Sequence, residues 1–267
     1  HIFNNPTYQV LSKKLAEQTP NLVHERFHLP NPLGKKLAQK LDIPHILEVN
    51  FLYIEEGVYQ GKFKDIALAD RTEQFNQCQG IITQTETLKT NLEKITDKPI
   101  FVVPNGVNLD RFRIDVSGER GRLGFGDDIM ITCVGSFRTW HGFHLIPEMA
   151  RNFPQAKFLL VGSGELYREV YKNRTENMIF LGAVPYEDVP KYLLMSDILI
   201  APFDTSNFPY LEKSGFWWCP VKLFEYLAAG KPIISFDFEE VRNIVGKSAL
   251  LAEPGDLKQF NEHLDAL

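Results

Sequence analysis

From residue 128 onward, short apolar runs rich in β-branched residues alternate with longer stretches whose apolar residues recur every three or four positions. The runs read as strands covered on both faces and the longer stretches as amphipathic helices, so the alternation predicts a parallel sheet with crossover helices. The predicted strands are IMITCVG (129–135), KFLLVG (157–162), MIFLG (178–182), ILIAPF (198–203) and PIISFD (232–237). The predicted helices are HLIPEMARNF, ELYREVYKNR, YEDVPKYLLMS, KLFEYLAA, EEVRNIV and DLKQFNEHLDAL. Units of this kind build a doubly wound α/β domain whose ligands sit at the carboxyl ends of the strands.

The first half is sparser. PHILEVN (44–50), GIITQT (80–85) and PIFVVPN (99–105) read as strands, with helices around Leu33–Lys40, Lys64–Cys78 and Glu86–Lys94. Three strands make a small sheet for a nucleotide-binding fold, and the chain opens on His1 in what reads as the middle of a domain. The opening strands and any glycine-rich first turn are therefore expected upstream. RIDVSGERGRLGFGD (113–127) is rich in glycine and charge and poor in apolar residues, which predicts a linker. The expected division is a first, incomplete domain over 1–112, a linker over 113–127 and a second domain over 128–267.

A 267-residue chain with 44% hydrophobic residues can build such cores. Its net charge of −5 and its 29 scattered Lys and Arg argue against nucleic acid as a partner. No apolar run approaches the roughly 18–20 residues that cross a bilayer, and HIFNNPTYQV has no signal-peptide core, so a cytoplasmic protein is expected. Cys78, Cys133 and Cys219 lack metal-ligand spacing and read as reduced, packed thiols.

Four segments carry candidate chemistry. In VPNGVNLDRF (103–112), Asn105-Gly106 follows a strand and is by itself a turn signal. In GSFRTWHGF (135–143), a strand ends in a turn bearing Arg138 and His141 ahead of a helix, where backbone amides and cations attract anions. VGSGELY (161–167), followed by IFLGAVP (179–185), has the weak Gly-x-Gly pattern of a tight βα turn. In CPVKLFEYLAAGKPII (219–234), Pro220 suits a first helical turn and Gly230 a left-handed end, predicting a helix from about Val221 to Ala229. Lys222 and Glu225 share one face of that helix, which on spacing alone permits a surface ion pair.

Taken in order, these motifs resemble the family-4 glycosyltransferases, from about Val23 to the end of the chain. The resemblance implies a GT-B fold of two facing Rossmann-like domains and transfer of a sugar from a nucleotide-diphosphate sugar, with retention, to a glycan, lipid or small-molecule acceptor. It implies that Glu225 takes the ribose hydroxyls and that the start of the Pro220 helix holds the diphosphate, with Lys222 and, in place of the usual Arg two positions earlier, Arg138 expected to supply the charge. Gly135, Ser136, His141, Gly164, Leu181, Ala183, Val221 and Leu223 are implied to line the donor site. The chain departs from the family pattern at Ser136, where an Arg is usual, at His141, where a Lys is usual, and at Trp217, where many members carry a Glu.

HERF (24–27) and ILEVNFLYIEEG (46–57) resemble a bacterial branch of the family, with Glu48, Asn50, Glu55 and Glu56 as acceptor-side polar groups or helix caps, and His24 and His45 read as structural. GFWW (215–218) reads as a sugar-stacking surface or a packed loop. No Asp-x-Asp motif sits at a strand end, Asp127-Asp128 falling in the linker, so neither an essential metal nor a separate cofactor is expected. Peripheral contact with the inner membrane face is compatible with a lipid acceptor. The competing readings are a sugar-nucleotide epimerase on the same plan and a non-catalytic binding protein derived from a transferase.

Overall fold

A run of three polar residues, His24, Glu25 and Arg26, hides the first strand from the sequence. VHER, at Val23–Arg26 (β1), lies at the edge of a sheet and is alternately half-buried and exposed, so it has no apolar run to announce it. The computed structural model describes residues 6–18, 20–29, 33–52, 57, 60–206 and 215–267. After α1 (Pro6–Glu17) and β1 come α2 (Leu33–Leu41), β2 (His45–Glu48), α3 (Lys62–Gln77), β3 (Gly80–Thr83), α4 (Glu86–Glu93) and β4 (Ile100–Val102). The strands pair in parallel in the order β1-β2-β3-β4, four among the described residues where the apolar runs predict three. Leu47 and Ile81 of the sheet and Leu88 and Leu92 of α4 are fully buried. Each such side chain contributes about 1.5–3 kcal/mol. Thr85 caps α4 by accepting from the Leu88 N–H.

The second half holds α5 (Glu119–Arg122), β5 (Met130–Val134), α6 (Ile146–Asn152), β6 (Lys157–Val161), α7 (Tyr167–Lys172), β7 (Met178–Gly182), α8 (Val189–Met195) and β8 (Ile198–Ala201). It continues through α9 (Val221–Ala229), β9 (Ile233–Phe236), α10 (Glu239–Val245), β10 (Leu250–Ala252) and α11 (Leu257–Asp265). All five predicted strands form, joined by β10, which is too short to stand out in the sequence. Alternate residues Ile131 and Cys133, Phe158 and Leu160, Ile198 and Ile200, and Ile234 and Phe236 enter one core with Phe137, Phe143, Met149 and Phe260. The parallel order is β10-β9-β8-β5-β6-β7. From β5 the chain builds outward through β6 and β7, then returns to place β8 on the other side. A crevice therefore opens at the carboxyl ends of β5 and β8.

Two compact units result, one made of His1–Pro104 with Glu212–Trp218, the other of Asn105–Leu211 with Cys219–Leu267. The stretch 113–127 lies within the second, where the Arg120 guanidinium grips the Asp197 carboxylate at 3.1 Å and Asp197 accepts from the Met130 N–H at 2.8 Å. Of the GFWW segment, Phe216 and Trp217 are buried. Trp217 packs edge-on against Phe51 at 5.3 Å, and its carbonyl accepts from the Thr85 hydroxyl. That segment is a packed loop of the first unit.

Candidate active site

The loops after β5, β6 and β8 meet backbone to backbone. Gly142 has a φ of +71°, and a Cβ there would sit 1.6 Å from the Pro202 carbonyl oxygen beyond β8. Gly162 after β6 has a φ of +125°, and its Cβ would fall 1.9 Å from the Gly135 carbonyl. Only glycine permits either approach. Phe137 is strained at a φ of +40° and is held there by stacking on Phe143 at 3.8 Å and by accepting from the Leu166 N–H at 3.0 Å.

Helix α9 enters this junction as its sequence predicts, except that Pro220 takes the cap position one residue ahead of the helix. Gly230 ends it at a φ of +64°. The buried Tyr226 fixes its depth: its oxygen accepts from the Val134 N–H at 3.0 Å and its hydroxyl donates to the Ile200 carbonyl at 3.2 Å. Lys222 is consequently buried and its Nζ has no hydrogen-bond partner. The ammonium lies 5.6 Å from the Phe143 ring centre and 5.1 Å from that of Phe203, a partial compensation.

A second unpartnered atom faces the same point. His141 Nδ1 is buried without a hydrogen bond, and a Cβ on Gly135 would lie 2.9 Å from it and 2.9 Å from Lys222 Nζ. Two unbonded nitrogens thus converge on the space that a side chain at 135 would fill. Burial, then Lys222, then Arg138 push the His141 imidazole down to about 2. Burial also lowers Lys222, with Cys133 and Glu225 opposing, and lifts the Cys133 thiol to about 11. An anion placed there would reverse the first two shifts.

Glu225 lies one turn further along α9, buried, with Oε1 lacking a hydrogen-bond partner. Burial raises its carboxyl, against the lowering effects of the Tyr186 hydroxyl, Arg111 and Lys222. Lys222 and Glu225 do not form a solvated surface pair, because both are buried and Lys222 Nζ is unbonded. Arg111, in the single turn Leu109–Phe112, brings Nη1 to 3.8 Å from Glu225 Oε1.

The remaining predicted positions fall around these groups. Arg138 stands at the surface, its Nη1 3.3 Å from Glu165 Oε2, while Glu165 Oε1 accepts from the Thr139 N–H. Ser136 is exposed, and its carbonyl would lie 1.9 Å from a Cβ on Gly164. Leu181 is half-buried at the end of β7 and Ala183 exposed just beyond it. Val221 is exposed on α9, whereas Leu223 is fully buried and its N–H is committed to the Pro220 carbonyl at 3.1 Å. Arg111 and Tyr186 are the residues that sequence reasoning passed over. The one signal for Arg111 is its place between the Asp and Phe of the NGVNLDRF motif.

In the first unit Glu25 accepts from the Gly34 N–H at 2.8 Å and lies 3.1 Å from His45 Nε2, a packing role for that histidine. His24 Nε2 is 3.2 Å from Glu48, which also accepts from Asn50. Glu55 and Glu56 lie outside the described residues. Among the described residues no group of three or more His, Cys, Asp or Glu gathers to hold a metal, and no helix is long and apolar enough to cross a membrane. The three cysteines are free and buried.

Two parallel α/β units, the second with Lys222 and His141 at its switch point, define the GT-B class of fold. The chain belongs to the glycosyl transferases group 1 family, whose model matches residues 128–267, and a glycosyltransferase family 4 model matches residues 2–111. It is 33% identical over 141 residues to TuaH of Bacillus subtilis, a glycosyltransferase assigned to teichuronic acid biosynthesis, over 51% of this chain and 34% of that protein. It is 26% identical over 145 residues to the GDP-mannose-dependent alpha-(1-6)-phosphatidylinositol monomannoside mannosyltransferase of Mycolicibacterium smegmatis, over 50% of this chain and 37% of that protein. The matched stretches thus span about a third of the length of these relatives. In fold it matches Anabaena HepE, solved with UDP-glucose, at a TM-score of 0.76 and 15% identity over 98% of this chain and 72% of that one. Sucrose-phosphate synthase from Thermosynechococcus elongatus matches at 0.73 and 16% identity, over 97% and 67%.

Proposed function

We propose that this chain carries the donor site of a glycosyltransferase that moves a sugar from a nucleotide-diphosphate sugar to a glycan, lipid or small-molecule acceptor. The observation that carries the reading is the convergence of Lys222 Nζ and His141 Nδ1, both buried and unbonded, on the glycine-lined space beside Gly135. A buried unpaired cation is costly, and a diphosphate is the ligand that satisfies two donors at a helix start. Charge developing on the departing diphosphate is met by Lys222, by the α9 dipole and, once an anion raises it, by a protonated His141. Arg138, released from Glu165, is near enough to contribute from the rim.

Glu225, one turn along α9, then faces the ribose. A carboxylate accepts from two vicinal hydroxyls, which an amide oxygen cannot match in strength. Gly164, Leu181 and Ala183 supply close backbone approach for the rest of the nucleoside. Retention of the anomeric configuration, with the acceptor attacking from the leaving-group side, follows from the family resemblance. The test is calorimetric titration of UDP and GDP into the parent and Glu225→Gln proteins, with thermal melts of each. The change is expected to weaken binding at least about tenfold, since each charge-assisted hydrogen bond contributes roughly 1.5–3 kcal/mol, and to leave the melt unchanged. Equal affinity in parent and variant removes Glu225 from the site.

A further inference from the structure

We propose that Arg111, clamped by Tyr186, is a positioning residue that keeps Glu225 aimed and charged for the nucleoside without occupying the oxygen that binds it. The inference rests on the donor-site reading above and assigns two residues that the motifs leave without a role. Arg111 is fixed on three sides. Its guanidinium carbon stacks 3.7 Å from the centre of the Tyr186 ring, Nη2 donates to the Tyr186 carbonyl, and Nη1 faces Glu225 Oε1 at 3.8 Å. Its side chain is 19% exposed and that of Glu225 6%. A guanidinium held this firmly loses little further freedom when a ligand arrives.

The 3.8 Å separation is the informative quantity. It is too long for a hydrogen bond, so Oε1 keeps its lone pairs, yet short enough for the cation's field to act strongly on a buried carboxylate. A direct bidentate bridge would stabilise Glu225 better and block it. Among the described residues, the other groups facing this carboxylate are the Tyr186 hydroxyl from the loop after β7, Lys222 on the same helix and the buried Tyr226 beside it. Asp110, next to Arg111 in sequence, does not compete for it, being paired with Arg113 at 2.8 Å.

Burial raises the Glu225 carboxyl and Arg111 opposes that rise, so removing the cation moves the titration to higher pH. Hydroxyl donors need the carboxylate, and nucleotide binding therefore strengthens as pH rises through that titration. The experiment titrates UDP and GDP into the parent, Arg111→Met, Arg111→Lys, Glu225→Gln and the Arg111→Met/Glu225→Gln double variant between pH 6 and pH 8.5. Arg111→Met is expected to bind about tenfold more weakly at the acid end of the range, with the deficit shrinking steadily as pH rises. Arg111→Lys should recover the parent's pH profile with part of its affinity, and the double variant should bind no more weakly than Glu225→Gln alone.

A loss in Arg111→Met that is the same at every pH and adds in full to that of Glu225→Gln is the signature of a merely structural arginine and overturns the proposal. Parent-like binding by Arg111→Met, where Glu225→Gln is weakened, overturns it while leaving the donor site standing. Failure of the parent to bind either nucleotide, or parity between the parent and Glu225→Gln, overturns the donor reading and this inference together.

Discussion

In the unit built on β1–β4, buried charge is matched within the protein. Glu25 is bonded to His45 and to the Gly34 N–H, and Lys35, itself buried, lies 2.7 Å from Glu73. In the unit built on β5–β10, Lys222, His141 and Glu225 bring three ionisable groups to the carboxyl ends of the central strands with an unbonded nitrogen or oxygen each. Among the described residues, the unbonded buried side-chain atoms of the first unit are Ser12 Oγ, Thr83 Oγ1, Asn50 Oδ1, Gln74 Oε1 and His45 Nδ1, and the one ionisable group among them, His45, is bonded to Glu25 through its other nitrogen. Each unsatisfied buried group costs roughly 1–3 kcal/mol, so a cluster of ionisable ones persists where a ligand completes it. The contrast separates polar groups that hold the fold from polar groups that await a substrate.

Exchanging one lysine in each unit for methionine breaks the comparison most sharply. Lys222→Met removes the central donor, and affinity for UDP and GDP is expected to fall about a hundredfold or more, equivalent to about 3 kcal/mol. Its thermal midpoint should hold or rise, because an unpaired buried ammonium is relieved. Lys35→Met should show the opposite pattern, a midpoint lower by about 2–4 °C with nucleotide affinity unchanged, since Glu73 is half exposed and its pair contributes about 1 kcal/mol. Differential scanning fluorimetry and calorimetry on the two variants decide it. Matching behaviour would erase the distinction between the units.

The same contrast marks how far the sequence could be read. The strands of the second sheet were legible because both faces are covered, which forces continuous apolar runs at Met130–Val134, Lys157–Val161 and Ile198–Ala201. Two of the edge strands escape that rule: β1 is polar at three of its four residues and β10 has three residues. The α9 helix was legible through Pro220, Gly230 and the spacing of Lys222 and Glu225, all local features. The Arg111–Tyr186–Glu225 cluster was not, since it joins a turn before β5, the loop after β7 and a helix after β8, and only the tertiary fold brings them together. Arg138 shows the converse limit. A motif places it near the diphosphate, but the free side chain finds Glu165.

A smaller effect tests the structural side. Glu25→Ala leaves the Gly34 N–H and His45 Nε2 without their shared acceptor, and should cost about 2 kcal/mol in urea denaturation. Nucleotide affinity is expected to stay within about twofold of the parent's, a free-energy change below about 0.5 kcal/mol. A large loss of binding without loss of stability would move Glu25 into the functional class and blur the boundary between the two units.

The smallest effect concerns the pH dependence of stability, and it sets His141 apart from a packing histidine. In the nucleotide-free protein the imidazole is held down to about 2 by burial and by Lys222 and Arg138, whereas in the unfolded chain it titrates near its ordinary value of 6.5. The unfolded state therefore binds the extra proton first, so stability is lost as pH falls below about 6.5 and the loss grows until the folded value is reached. At pH 5 this amounts to about 2 kcal/mol, from roughly 1.4 kcal/mol per pH unit. His141→Gln cannot take up that proton, so its urea-unfolding free energy should fall by about 1–2 kcal/mol less than the parent's between pH 7.5 and pH 5. Saturating UDP or GDP should cancel the difference, because a diphosphate beside Lys222 favours the imidazolium and offsets the penalty. Calorimetry in buffers of different ionisation heat would then register proton uptake on binding below pH 7 in the parent and none in His141→Gln. Parallel pH profiles for parent and variant, with no proton uptake, would show that His141 Nδ1 is an idle buried atom and that Lys222 holds the anion alone.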